Sequence, residues 1–479
     1  MKQHFINGRW TAGASGETLP VVDPATGEVI EQIARGSAAD IDAAVQAARA
    51  AFDSGAWGKL TPTERGRLLS KLGVLVAANH DKLATIEARD TGKPMAQASN
   101  DITVLARYCE FYGGAADKHH GDVIPFLAGH HVNVLREPFG VTGHILPWNY
   151  PAQMFGRSLG PALAAGNAVV LKPSEDACLS ALALCDLANE AGFPPGSINV
   201  VTGLGHEAGS ALTSHPGIDL VSFTGSPEVG AMVQKAAADN HRKVVLELGG
   251  KSPQMVFADA DLDRAVPIIV RAITQNAGQT CTAGSRLLVA RSAWDAVIGR
   301  VAEQFKKVRV GTPEMDFDCG PVINTAQKKR VEGFIRDAEA AGIPVLARGT
   351  VGKDLPSGGN WVTPTLFGPV PRSDKLACDE VFGPVLAAIP FDDEADAVAL
   401  ANATDYGLVA GVWTADGGRQ IRMAKRIKAG QVFINAYGAG GGVELPFGGV
   451  KKSGHGREKG FVAMEEFSVL KTVVQYHGE

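Results

Sequence analysis

An α/β fold built on a parallel, doubly wound sheet is what this chain predicts, and three observations carry the prediction. Short apolar runs are bounded by glycine and proline, segments of helical periodicity separate them, and the whole series restarts near Ser252, so that a second α/β unit follows the first. In order, Ile41, Ala44, Val45 and Ala48 give 40–51 one apolar helical face, and 68–77 and 83–88 repeat that pattern, so the first hundred residues read as mainly helical. The segments 141–147 and 168–173 are apolar runs closed by Pro147 and Pro173, and both read as buried strands. A helix over 179–191 follows, then strands over 197–203, 218–223 and 244–248. The second series takes strands at 254–257, 286–289 and 431–435. The loop Gly438-Ala439-Gly440-Gly441-Gly442 and the following Leu445-Pro446-Phe447-Gly448-Gly449 suit no regular element and are expected to cover a cleft between domains.

Length and composition narrow the possibilities. A chain of 479 residues is long for one core and predicts two or three domains. Its 46 basic and 51 acidic residues are spread without a basic run, which argues against a nucleic-acid partner. The N-terminus lacks the apolar core of a signal peptide and no segment is long enough to span a bilayer, so no membrane partner is expected and the expected location is cytoplasmic. The six cysteines form no CxxC pair and have no histidines at ligand spacing; reduced thiols are expected, with no metal site.

Two segments carry chemistry. Asn276-Ala277-Gly278-Gln279-Thr280-Cys281 surrounds a thiol with small uncharged residues that let a carbonyl approach, and Glu247-Leu248-Gly249-Gly250 follows a carboxylate with two glycines that tolerate backbone crowding. A lone cysteine is more often a small core residue, and a glutamate at a strand end more often a solvated group. Together they offer a nucleophile and a base.

These segments occur in order with Pro147-Trp148-Asn149-Tyr150-Pro151, Lys172-Pro173-Ser174-Glu175, Phe223-Thr224-Gly225-Ser226, Glu380-Val381-Phe382-Gly383-Pro384 and Pro446-Phe447-Gly448-Gly449. From about Phe5 to Val474 the chain resembles the aldehyde dehydrogenase superfamily, in its NAD(P)-dependent, hydrolytic type. The resemblance implies a dinucleotide-binding domain (1–117 and 139–248), an α/β catalytic domain (249–458) and a small β oligomerisation ribbon (118–138 and 459–479). It implies an enzyme that is a homo-oligomer, a tetramer in preference to a dimer, since 469–474 can add a strand to a neighbouring subunit.

The same resemblance assigns roles. Cys281 is the nucleophile, Asn149 with the Cys281 main-chain N–H stabilises the oxyanion, and Glu247 activates water to hydrolyse a thioester. Loss of one oxyanion donor typically costs about 3 kcal/mol. NAD is the expected cofactor, with NADP second: Gly225, Ser226 and Gly230 match the pyrophosphate turn, Lys172 and Glu175 the adenosine ribose, and Glu380 and Phe382 the nicotinamide ribose. Trp148, Ser174, Gly205 and Leu248 complete the implied cofactor contacts. Glu175 can accept from ribose hydroxyls while repelling a 2′-phosphate.

Substrate contacts are expected at Arg157, Tyr108, Phe155 and Tyr437, with Phe111 and Tyr112 in the same aromatic wall, for a medium-sized, aromatic or semialdehyde substrate. Relatives that oxidise succinate semialdehyde resemble the chain at Arg157 but carry a second arginine where Gln275 stands, so a carboxylate clamp is incomplete and Arg157 equally suits a salt bridge. Ser158 replaces a lysine that in many relatives relays protons with a glutamate matching Glu458. Two competing functions share the scaffold: a coenzyme A-acylating semialdehyde dehydrogenase, and a catalytically silent dinucleotide-binding member.

Overall fold

Two largely parallel sheets, each with its own apolar core, organise the chain in a computed structural model that describes residues 1–438 and 442–479. The first sheet has eight strands in the order Arg9–Thr11, His4–Ile6, Ile198–Val200, Ala168–Lys172, Val141–Ile145, Leu220–Thr224, Lys243–Glu247 and Gly454–His455. Its five inner strands are parallel and its outer strands join antiparallel. Ala168–Lys172 and Leu220–Thr224 are buried at every residue, which is why 168–171 runs apolar and the polar members of 220–224 are the small hydroxyls Ser222 and Thr224. The helices Ala38–Asp53 and Leu179–Ala191 pack against this sheet.

The second sheet runs Val345–Arg348, Thr365–Phe367, Val385–Phe391, Arg286–Ala290, Pro253–Val256, Val409–Trp413 and Gln431–Ile434, parallel except at its first strand. A three-stranded antiparallel sheet pairs His130–Pro138 with Asp122–Val123 on one side and Ser468–Tyr476 on the other. Leu135, Leu470, Val473, Val474 and Tyr476 on it are exposed, as are Phe126 and Leu127 beside it. No helix among the described residues is long and apolar enough to cross a membrane.

The first hundred residues are mainly helical, as expected, but four strands precede the first helix, including the antiparallel pair Thr18–Val22 and Val29–Ala34. Only Val21, Ile33 and Ala34 of that pair are buried, so its side chains carry no clean apolar alternation; the turn at Asp23-Pro24-Ala25-Thr26-Gly27, with Gly27 at φ 76°, was its clearest mark. Gly454–His455, expected within the catalytic segment, extends the first sheet by pairing with Lys243–Glu247. Of the covering loop, Gly438 and Gly442 line the cleft, while Ala439, Gly440 and Gly441 lie outside the described residues.

Candidate active site

A cavity of about 1230 Å³ lies between the carboxyl ends of the first sheet's parallel strands and the amino-end side of the second sheet's. Val141–Ile145 leads into Trp148 and Asn149, Leu220–Thr224 into Gly225 and Ser226, and Lys243–Glu247 ends on Glu247 itself. Opposite them, Cys281 precedes Arg286–Ala290, and Glu380 and Phe382 precede Val385–Phe391. The crevice beyond the carboxyl ends is where open α/β sheets bind ligands.

Backbone packing delivers Cys281 to this cleft. The helix Leu262–Thr274 gives way to a turn in which Asn276, Ala277 and Gly278 all take left-handed conformations, at φ 48°, 52° and 73°. A side chain on Gly278 would begin 2.2 Å from the Gly383 carbonyl oxygen, and one on Gly250 would begin 2.4 Å from the Cys281 carbonyl oxygen. Gly250 is therefore required by close approach to the cysteine segment, while a side chain on Gly249 would begin 2.2 Å from a Glu380 carboxylate oxygen. Cys281 is part-buried against Leu408, Val409, Phe433, Tyr437 and Phe447. Burial pushes its thiol up to about 11; the Arg157 cation opposes that rise and the Glu247 charge adds to it.

Asn149 is buried with its side-chain Nδ2 donating to the Gln279 carbonyl at 3.0 Å, and its Oδ1 accepts no hydrogen bond among the described residues. Glu247 is 2 % exposed, and neither carboxylate oxygen accepts a hydrogen bond among the described residues. Burial holds its carboxyl well above the usual range, Arg157 works against that, and Glu458 reinforces it. A carboxyl so placed binds a proton more readily than a solvated one, as a general base requires.

Arg157 is not a free substrate contact. Its guanidinium contacts Glu458 and lies 3.6 Å from Glu247, while stacking 4.2 Å from the Phe447 ring centroid. It faces the cavity but its charge is shared between two buried carboxylates. Ser158, with no cation to offer, hydrogen-bonds instead to His144 Nδ1 at 2.8 Å and Ser222 Oγ at 3.2 Å. The hydroxyl of Ser222 reaches Glu458 at 3.4 Å, so Glu458 is met by Arg157 and Ser222, with Ser158 one hydrogen bond further away.

The residues expected to hold a dinucleotide fall at the ends of adjacent strands. Ser226 caps the twelve-residue helix Pro227–Ala238, its hydroxyl accepting from Val229 N–H at 3.3 Å, so that Gly225 and Ser226 present a helix N-terminus to the cavity. At the end of Ala168–Lys172, Lys172 Nζ donates to Glu175 at 2.7 Å, and the other Glu175 oxygen accepts from Gly205 N–H at 3.3 Å. Burial opposes the Glu175 charge, but Lys172 and these hydrogen bonds prevail and hold its pKa below the usual glutamate value. Trp148 and Phe382 meet edge to face at 5.5 Å within the cavity, where Leu248 and Glu380 also line the wall. Leu248 closes on Gly230, where a side chain would begin 2.6 Å away. Glu380 accepts from Gly250 N–H at 2.8 Å, and burial pushes it up to about 7. Lys172, Ser174, Glu175, Gly205 and Gly230 lie beside the cavity rather than on its wall. This donor and acceptor set fits a dinucleotide: a helix terminus for phosphate, carboxylates for ribose hydroxyls and an aromatic pair where a flat ring can lie. Among the described residues no cluster could hold a metal ion.

Comparison with known proteins decides the family, since its sequence model matches residues 10–473. The chain belongs to the aldehyde dehydrogenase family. It is therefore an oxidoreductase that acts on aldehydes. It is 44% identical over 473 residues to the NADP/NAD-dependent aldehyde dehydrogenase PuuC of Escherichia coli, covering 98% of this chain and 94% of that one. It is 43% identical to human retinal dehydrogenase 2, over 98% of this chain and 90% of that one. Among solved structures, a Burkholderia cenocepacia protein assigned as an aldehyde dehydrogenase shares 60% identity at a TM-score of 0.99, covering 99% of this chain and 100% of that one. PnpE in complex with nicotinamide adenine dinucleotide shares 40% identity at a TM-score of 0.97, covering 100% and 98%.

Within this aldehyde dehydrogenase, the expected aromatic entrance is corrected. Tyr108 and Tyr112 are fully buried and stacked on one another, Phe155 is in the core, and Phe111 packs on Tyr112; none lines the cavity. All four sit on or against Met95–Ala115, whose apolar face fills the first core, so their aromatic character served packing. Tyr437 does line the cavity, its hydroxyl donating to the Thr282 carbonyl at 2.8 Å. The actual wall beside Cys281 adds Phe433 and Phe447, which sequence reading left without a role although Phe447 stood inside a quoted motif. Lys459 was missed as well. It lines the cavity 5.1 Å from the Phe447 ring, and burial pulls its pKa down to about 8.

Proposed function

We propose that this chain oxidises an aldehyde to its carboxylic acid with NAD, by covalent catalysis at Cys281 and hydrolysis assisted by Glu247. The observation that carries the reading is the convergence of Cys281, Glu247 and Asn149 on one cavity that also receives the helix N-terminus at Gly225 and Ser226. The Cys281 thiol gives up its proton to solvent in the cavity, the thiolate adds to the carbonyl carbon, and negative charge on oxygen is met by the Asn149 amide and the Cys281 N–H. Hydride acceptance is the chemistry that bound NAD supplies, leaving a thioester on Cys281. Glu247 then takes a proton from water as the water attacks that thioester, and the acid leaves as the Cys281 sulfur departs. Water, not a second thiol, is the proposed acceptor because a buried carboxylate stands beside the cysteine.

NAD is proposed over NADP because the anionic Glu175 would repel a 2′-phosphate at the ribose end. A broad range of medium-sized or aromatic aldehydes is the proposed substrate class. Phe433, Tyr437 and Phe447 supply an apolar wall, and Arg157 is already engaged by Glu458 and Glu247. The division into dinucleotide, catalytic and ribbon segments is proposed with 454–455 moved to the first sheet. A homotetramer assembled through the exposed apolar ribbon, in the cytoplasm where six free thiols stay reduced, completes the reading.

The test is NADH absorbance with aliphatic, aromatic and ω-carboxy aldehydes, NAD and NADP in parallel, and the acid product identified. Acid formed with NAD from uncharged aldehydes supports the proposal. Acyl-CoA formed only with coenzyme A, or a narrow preference for short dicarboxylic semialdehydes, contradicts it.

A further inference from the structure

We propose that Lys93 is a positioning residue for the oxyanion donor: its buried ammonium grips the main-chain carbonyl of Asn149 and so fixes where the Asn149 amide stands relative to Cys281. The inference rests on the oxyanion reading of Asn149 given above.

Lys93 reaches this point because the helix His80–Thr91 ends at Gly92, which takes φ 76° and turns the chain inward. Its side chain is fully buried, and its three donors meet three acceptors: Glu87 Oε1 at 3.2 Å, Asp101 Oδ2, and the Asn149 carbonyl oxygen at 2.9 Å. Glu87 and Asp101 stand on the packed helices His80–Thr91 and Met95–Ala115, so two of the three contacts anchor the cation to a rigid base. The third holds the catalytic segment. The Asn149 carbonyl also accepts from Asn276 Nδ2 at 3.0 Å, which uses both of its lone pairs.

The side chain of Asn149 is tied to the same place from the other domain, donating one amide hydrogen to Gln279. An amide has two such hydrogens, and the second is left for the cavity that Asn149 lines. Next along the chain, Tyr150 lies 4.4 Å from the Lys93 ammonium, accepts from Gln275 Nε2 at 3.0 Å and shares a 2.7 Å hydrogen bond with Thr280 Oγ1. Lys93 thus stands behind 149–150 while 275–280, the segment that delivers Cys281, holds those two residues from the front. A buried cation with two carboxylates is seldom retained for stability alone, since apolar replacement of such clusters is often neutral or stabilising. An ammonium that reaches a reacting segment's backbone has a different reason to be there.

The test compares Lys93→Met, Asn149→Ala, the double variant, and a charge-neutral set combining Lys93→Met with Glu87→Gln and Asp101→Asn. The charge-neutral set leaves no uncompensated buried carboxylate if Lys93→Met alone folds poorly. Each is assayed by the pre-steady-state rate of NADH formation from propanal and benzaldehyde, by NAD affinity, by Cys281 alkylation with iodoacetamide and by thermal melting. Removing the grip should slow NADH formation by about 100-fold, as loss of an oxyanion donor does, while NAD affinity and Cys281 alkylation stay within about threefold. The double variant should be no slower than Asn149→Ala, because both changes remove one function. Intact NADH formation in the charge-neutral set, or multiplicative losses in the double variant, overturns the positioning role alone. Intact NADH formation in Asn149→Ala overturns the oxyanion reading and this inference with it.

Discussion

Arg157 lowers the pKa of two neighbouring acids, Glu247 and Cys281. Burial raises the pKa of Glu247, and the guanidinium 3.6 Å away is the first force that lowers it. Replacing Arg157 by methionine should therefore raise the Glu247 pKa further. Because thioester hydrolysis needs the carboxylate free of its proton, the acid limb of the steady-state pH profile should move to higher pH by about one unit. An unmoved limb, or one displaced to lower pH, would show that Glu247 does not govern that step. The thiol gives a second expectation. With Cys281 pushed up to about 11 in the free protein, its alkylation by iodoacetamide should rise about tenfold per pH unit through neutrality. A plateau reached below pH 8 would contradict the protonated resting thiol. Cys281, Glu247 and Asn149 were legible as candidates because motif order named them. Lys93 and Lys459 were not, since a lysine's burial depends on distant segments: Lys93 is buried by helices and by 149–150, Lys459 by the packing around Phe447.

At the scale of elements, strand ends do the positioning. Lys172 and Glu175 leave one strand, and Gly225 and Ser226 leave a strand two places along the sheet, with Val141–Ile145 between them. Changing Glu175 to glutamine keeps an acceptor but removes the charge that would repel a 2′-phosphate, so kcat/KM with NADP should rise relative to NAD by about tenfold. A ratio that does not change would move the discrimination elsewhere. The inner strands were legible because burial on both faces keeps them short, largely apolar and free of surface charge runs, and the helix Leu179–Ala191 was found to the residue. The pair Thr18–Val22 and Val29–Ala34 was not, because only Val21, Ile33 and Ala34 of it are buried, too few to show an apolar alternation. The ribbon strand Ser468–Tyr476 is also exposed along most of its length, with Leu470, Val473 and Val474 facing solvent in the single chain. Placing aspartate at Leu470 and Val473 should reduce the assembly to smaller species in sedimentation; an unchanged sedimentation coefficient would exclude this ribbon as the contact.

Across the whole molecule, two sheets built from separate stretches of sequence bring the Glu247 carboxyl from one and the Cys281 thiol from the other to a shared cleft. Such a site is legible as a list of residues but not as a shape: the Gly250 contact with Cys281, the aromatic wall of Phe433, Tyr437 and Phe447, and the burial of Tyr108 and Phe155 all follow from how the two cores meet. NAD held by both halves should stabilise the fold by roughly 2.7 kcal/mol at a hundredfold excess over its dissociation constant, read as a melting temperature that rises with NAD concentration. The most direct test of the account is the Glu247→Gln variant mixed rapidly with NAD and benzaldehyde, following NADH and then the intact mass of the quenched protein. The account predicts one equivalent of NADH per active site, little further turnover, and an acyl adduct on Cys281. Steady turnover without accumulation of that adduct, or an adduct on another residue, would contradict it.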